Sequence, residues 1–147
     1  AATTGKVRVG ETDHRGGDLH DVVHVVAQGD GDWFAERTLR ANLTYGLDPP
    51  PSDALVRTQM QRFEMRSDLS LESVEPLSGG EVQRGLLVRA ALSPKSIVLM
   101  DEPVSMLDPE GQRQFYASLK VLFPERTVLV ITHHAEHLTC FDHVLRL

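Results

Sequence analysis

The chain has 147 residues, 41% of them apolar and 24% charged, with a net charge of −6; these are ordinary values for one globular domain with a modest core. The acidic balance argues against a surface dominated by contacts to nucleic-acid phosphates, while remaining compatible with a local basic patch. No apolar run is long enough to span a bilayer, the opening AATTGKVRVG has no signal-peptide apolar region, and the single cysteine, Cys140, rules out an internal disulfide and fits a reducing compartment.

Residues 6–9 alternate and predict a short strand, followed by a polar turn over 10–17. Residues 21–27 (DVVHVVA) predict a buried strand with His24 as its polar interruption. Gln28 follows, then a loop over 29–32. Residues 47–52 (LDPPPS) form a stiff connection, because proline fixes φ and lacks a donor. Helical spacing of Val56, Met60 and Phe63 predicts a helix over 53–66, and 67–76 reads as a short helix or turn. Ser78, Gly79, Gly80 and Glu81 then open a helical pattern of Val82, Leu86, Leu87, Ala90 and Ala91. Ser78 and Glu81 have the spacing of a capping box, and the glycines leave N–H groups uncovered at the positive helix end. Four such residues alone read as a well-capped helix; in context they read as a phosphate site.

The apolar run Ile97 to Met100 predicts a buried strand ending in Asp101 and Glu102, where α/β folds place ligands. Asp108 and Pro109 supply the cap and first residue of a helix with a stripe of Phe115, Leu119 and Leu122, stopped by Pro124. A second buried strand over 127–132 leads to His133. Residues 135–139 predict one or two helical turns and 143–147 a last strand. Alternating helices and strands after Ser78 predict an α/β fold with a mostly parallel sheet.

Several motifs in order carry a family resemblance: LSGGEVQR at 77–84, SIVLMDEP at 96–103, SMLD at 105–108 and ITHH at 131–134. Together they resemble the nucleotide-binding domain of ATP-binding cassette (ABC) transporters. LSGGE is similar to the family signature, IVLMDE to Walker B plus the catalytic glutamate, SMLD to the D-loop and His133 to the switch histidine. Gln28 followed by RTLRANLTYG at 37–46 resembles the Q-loop and the segment after it in exporter-type cassettes. The resemblance implies a partial P-loop NTPase (RecA-like) sheet with helices, all of 1–147 being one partial domain. A short α-helical subdomain over about 33–77 is inserted in that α/β core. Val104 stands where the family usually has threonine or serine, and Glu81 replaces the commoner glutamine; neither change removes a catalytic group.

The phosphate-binding pattern G-x-x-x-x-G-K-[ST] is absent from the sequence; the only Gly-Lys pair, Gly5-Lys6, is followed by Val7. GKVRVG resembles the segment just after the Walker A helix. The Walker A strand and helix, and the adenine-stacking aromatic residue, are therefore expected to be absent from these residues. Without the central strand, strands 127–132 and 143–147 should each face a gap with an unpaired edge, leaving the fragment marginally stable and prone to association.

The resemblance also implies roles. Asp101 would hold Mg²⁺ through water, Glu102 would polarise the attacking water, His133 would contact the γ-phosphate, and Gln28 would sense metal and water. Ser78, Gly79 and Gly80 would contact the γ-phosphate held by an opposite protomer, and Asp108 would act across the dimer while capping its helix. ATP and Mg²⁺ are the implied cofactors. The implied partners are a second nucleotide-binding domain and a transmembrane transporter domain at the cytoplasmic side of a membrane, with no nucleic acid. The fragment alone is expected to be inactive.

Blander readings stand beside these. Asp101-Glu102 and Gln28 could be solvated loop residues. His133, His134 and His137 suggest a metal cluster, but zinc would need a further ligand and an outer shell, and no HExxH pattern is near. His14, His20 and His24 read as scattered polar residues, and Cys140 as a small core residue. Two other classes remain: a soluble cassette of chromosome maintenance or DNA repair, and a pseudo-ATPase lending only its signature face. RTLRANLTYG, the helix VQRGLLVRAAL and the absence of heptads disfavour the soluble cassette.

Overall fold

A computed structural model describes residues 7–14, 18–29 and 32–146. The expected features at Gly5, Lys6, the end of the 10–17 turn, residues 30–31 and Leu147 lie outside them, as does the side chain of His14. The first two elements are β1 (Val7–Val9) and β2 (Thr12–His14), paired antiparallel around Gly10 at φ 59°. The sequence reading placed a polar turn over all of 10–17. Residues 12–14 of it are instead a strand, because the two-residue turn Gly10–Glu11 returns the chain into register with β1, and Gly10 adopts the left-handed conformation without a Cβ penalty.

The central sheet has the order β3 (Val23–Val26), β4 (Ile97–Asp101), β5 (Thr127–Ile131), all parallel. Val26, Met100 and Val130 share one register position. Strand alternation sends Val26, Val98 and Met100 to one face. There they meet Leu86, Leu87 and Ala90 of α3 (Gly79–Leu92) and Phe115, Tyr116 and Leu119 of α4 (Pro109–Leu122), in one buried cluster. Each fully buried side chain of this size contributes ~1.5–3 kcal/mol.

The opposite face is bare. Val25, Leu129 and Ile131 point to it and are each about half exposed (52%, 52% and 53%). Residues 143–146, expected as the last strand, form none; Val144 and Leu145 are exposed and no ladder joins them to β5. A strand needs a neighbour for its N–H and C=O groups, and among the described residues this segment has none. Among the described residues β5 is an edge strand of this sheet.

Two helices, α1 (Leu39–Leu43) and α2 (Asp53–Arg62), pack on α3. Thr38 and Ser52 cap them. The expected helix over 53–66 stops early: Glu64 takes φ 54° and Met65 N–H returns to Met60 C=O at 2.9 Å, closing the end in a Schellman-like turn. Residues 67–76 form turns rather than a helix. Their carbonyls are spent on α1, with Leu39 and Arg40 N–H donating to Ser73 and Leu71 C=O at 2.8 Å each. Gly85 sits where a Cβ would come within 2.6 Å of the Trp33 ring, so glycine there lets the indole lie on α3.

His24 corrects the reading of a scattered polar residue. It shares the inner face with Val26, opposite Val98. Burial first, then the charges of Lys95, Arg89 and Arg126, lower its pKa to about 4, with Asp32 opposing. The folded state therefore holds His24 neutral. Between about pH 6.5 and 4 the unfolded chain binds a proton that the folded chain refuses, so this contribution is complete above pH 6.5 and is lost as pH falls toward 4. The loss amounts to at most about 3 kcal/mol. Urea midpoints measured across this window should fall more steeply for the wild type than for His24→Leu; parallel slopes would contradict the assignment.

Candidate functional site

The carboxyl ends of β3, β4 and β5 bring Gln28, Asp101, Glu102 and His133 to one edge of the sheet. Glu102 is the centre. Its backbone N–H donates to Ile131 C=O at 3.0 Å, extending the β4–β5 ladder by one residue. Its φ of 47° lies in the left-handed region, a strained position for a residue with a Cβ. That turn aims the side chain across to β5. Glu102 Oε1 accepts from the His133 N–H at 2.9 Å and lies 2.6 Å from His133 Nδ1. Glu102 Oε2 is buried and has no partner. His133 is exposed; among the described residues its ring is held by this carboxylate and by a tilted contact at 4.3 Å with His134.

Asp101 is half-buried, and its carboxylate takes no hydrogen bond or ion pair among the described residues. Gln28 is exposed and likewise unpartnered. The Asp101 carboxylate and the Gln28 side-chain carbonyl are oxygen donors of the kind a hydrated divalent cation takes.

The signature stretch is a helix N-terminus with both halves of its capping box formed. The Ser78 hydroxyl accepts from Glu81 N–H at 3.3 Å and donates to Glu81 Oε2 at 2.7 Å, while Ser78 N–H donates to the same oxygen at 2.8 Å. The Ser78 N–H, then its hydroxyl, hold the Glu81 carboxyl below its usual pKa. A Cβ on Gly79 or Gly80 would make only ordinary contacts, 3.8 Å to Met106 Sδ and 3.9 Å to Met106 O. Internal packing thus leaves room for side chains there, and the glycines keep amides open to an outside group. Asp108 caps α4 by accepting from Gly111 N–H at 2.8 Å. No hydrogen bond joins Ser78, Gly79, Gly80 or Asp108 to Glu102 or His133 among the described residues; the signature and the carboxylates are two separate groups.

Two residues that the sequence reading passed over anchor α3, and one of them joins these groups. Gln83, buried on α3, donates through Nε2 to Glu102 C=O at 3.3 Å and accepts at Oε1 from Met106 N–H at 3.2 Å. One amide thus ties the signature helix to both ends of the Glu102–Met106 turn. Arg89, 4% exposed, donates through Nε to Asn42 C=O at 2.7 Å and through Nη1 to Asp32 C=O at 3.0 Å, linking α3 to α1 and to the chain just after Gln28. The available signal was a polar residue on the buried side of a helical pattern, which marks a position without naming its partner.

The sequence profile described as ABC transporter matches residues 1–105. The chain belongs to the ABC transporter family. Among curated ABC proteins, the thiamine import ATP-binding protein ThiQ of Vibrio vulnificus is 38% identical over 109 residues, covering 69% of this chain and 46% of that protein. The ATP-dependent lipid A-core flippase of Albidiferax ferrireducens is 44% identical over 116 residues, covering 70% and 20%. This chain therefore spans less than half the length of these ABC relatives. A bacterial Atm1-family ABC exporter solved with ATP bound superposes with a TM-score of 0.67 at 25% identity, over 80% of this chain and 22% of that one. A dimeric ATP-binding cassette in a post-hydrolysis state with ADP and Pi gives 0.75 at 22% identity over 94% and 66%, a likeness of fold. The α/β sheet and the ABC motifs therefore agree. No helix among the described residues is long and apolar enough to cross a membrane.

Proposed function

We propose that these residues are the later part of a transporter ATPase domain, and that two copies of the whole domain enclose MgATP and couple its hydrolysis to transport. One observation carries the reading: a carboxylate clamped at one oxygen by His133 and left free at the other, beside the unpaired Asp101, at the carboxyl end of a parallel sheet. Glu102 orients and polarises the attacking water with its free oxygen. His133 keeps the carboxylate turned toward that water and offers its outer ring edge to the terminal phosphate. Mg²⁺, when bound, supplies charge neutralisation at the phosphates, and Asp101 with Gln28 would hold it. Ser78, Gly79 and Gly80 present helix-end donors to the terminal phosphate of the ATP seated on the other copy, and Asp108 acts at the same boundary. The separation of the half-sites within one chain supports that division of labour. Gln83 links the strand-end turn of one site to the signature helix serving the other.

The family of the chain supports association of the whole domain with a transmembrane partner at the cytoplasmic side of a membrane. In this reading 33–77 is the inserted helical subdomain of one partial domain.

The phosphate-binding pattern is not in this sequence, so Glu102 and Asp101 here have no held nucleotide to act on. The purified 147-residue chain with MgATP should release phosphate at background, while the full-length protein turns over. Turnover by the chain alone that disappears in Glu102→Gln would overturn the expected inactivity of these residues alone.

A further inference from the structure

Sequence alone left the histidine cluster without a further ligand or an outer shell; the fold supplies both. Glu102, His133 and His134 place one donor atom each within 4.8 Å of one another. The two imidazole centroids lie 4.3 Å apart with planes tilted by 31°. The Glu136 carboxylate lies 3.2 Å from His134 Nδ1, the outer carboxylate that fixes a ligating imidazole and leaves its other nitrogen free. The turn carrying both histidines is pinned from α4. The Tyr116 hydroxyl donates to Thr132 Oγ1 at 3.2 Å, and the same oxygen accepts from His134 N–H at 3.1 Å. An independent sign of a missing partner is Glu102 Oε2, buried and unsatisfied on a residue only 9% exposed.

We propose that Glu102, His133 and His134 form a binding site for a transition-metal dication of the zinc, cobalt or nickel type. Two imidazoles and one carboxylate suit these ions and not Mg²⁺, which prefers oxygen ligands in an octahedron. Metal–ligand bonds of about 2.0–2.2 Å in a tetrahedron put ligand atoms roughly 3.4 Å apart. The 2.6 Å pair of His133 Nδ1 and Glu102 Oε1 therefore opens, and any donor pair near the 4.8 Å limit closes, each by roughly an ångström, which the exposed His133 ring allows. When the ion enters between His133 Nδ1 and Glu102 Oε1, the hydrogen held there moves to Nε2 of a neutral ring, or leaves to solvent from a charged one. The fourth position stays open to water.

The site is distinct from the Asp101 position assigned to Mg²⁺, but it draws on the same Glu102 carboxylate. Occupation by zinc therefore withdraws the group proposed to polarise water, and micromolar Zn²⁺ should suppress any ATP turnover of the full-length protein. That consequence rests on the proposed function; metal binding itself does not.

Titration of the purified chain with Co²⁺, followed by visible absorption, tests the site directly. One equivalent should give the intense d–d bands of a four-coordinate ion, displaced by Zn²⁺ and unaffected by excess Mg²⁺. Glu136→Gln should weaken binding about tenfold, as expected for loss of an outer partner. His134→Ala and Glu102→Gln should each weaken it more. His134→Cys should restore binding and add a sulfur-to-cobalt charge-transfer band, a readout that survives any loss of stability in the alanine variant. Octahedral-type spectra, affinities unchanged by His134→Ala and Glu102→Gln, or no charge-transfer band with His134→Cys would overturn the proposal. Cobalt spectra of the expected kind in a protein whose full-length form hydrolyses no ATP would leave the metal site standing and remove the ATPase reading.

Discussion

Glu102→Gln in the full-length protein should lower ATP turnover by about 10²–10⁴-fold, the range lost when a positioned general base is removed. The substitution is nearly isosteric. The glutamine oxygen still accepts from His133 N–H, replacing the 2.9 Å contact of Glu102 Oε1, so the turn should keep its shape. Only the negative charge and basicity at the buried Oε2 position disappear. Nucleotide affinity should therefore change little while kcat collapses. A wild-type kcat in Glu102→Gln, measured by phosphate release at saturating MgATP, would show that another group activates the water.

Arg89→Leu should destabilise the chain by about 3 kcal/mol, the low end for breaking a buried, hydrogen-bonded charge network. Hydrogen bonds to a charged donor are worth roughly 1.5–3 kcal/mol each, and the carbonyls of Asn42 and Asp32 would both lose theirs. The guanidinium also lies 5.4 Å over the Tyr45 ring. Against this stand its unpartnered Nη2 and a pKa lowered first by burial, which mark the cost of keeping the charge inside. The net effect is placed at the lower figure for that reason. Urea denaturation of the purified chain measures it, and a loss below about 1 kcal/mol would mean that the network contributes little beyond packing.

The motifs were legible because their chemistry requires contiguous residues. An apolar strand ending in Asp101-Glu102 has to place both carboxylates at a sheet edge, and Ser78 three residues before Glu81 has to cap. Parallel pairing of β3, β4 and β5 follows from buried runs separated by helices. What could not be read were contacts across the fold. Gln83 and Arg89 occupy helical positions whose partners lie 19 to 57 residues away. His24 appeared as an interruption in a strand, whereas its neighbours Lys95, Arg89 and Arg126 come from three other parts of the chain. The strand expected at 143–147 failed over its described residues for a related reason. Propensity names a segment that suits a sheet, but only a neighbouring strand makes it one. Of the short helix or turn expected over 67–76, the turn formed, because α1 takes carbonyls of this segment as acceptors.

The central claim is that the signature of one copy completes the carboxylate site of another. The most direct measurement is the oligomeric state of the full-length domain carrying Glu102→Gln, read by size-exclusion chromatography with and without MgATP. A monomer that becomes a stable dimer in MgATP, and loses that response when Ser78→Arg fills the signature, is the predicted result. A Glu102→Gln protein that binds ATP and stays monomeric, or one that dimerises equally well with Ser78→Arg, would contradict the account.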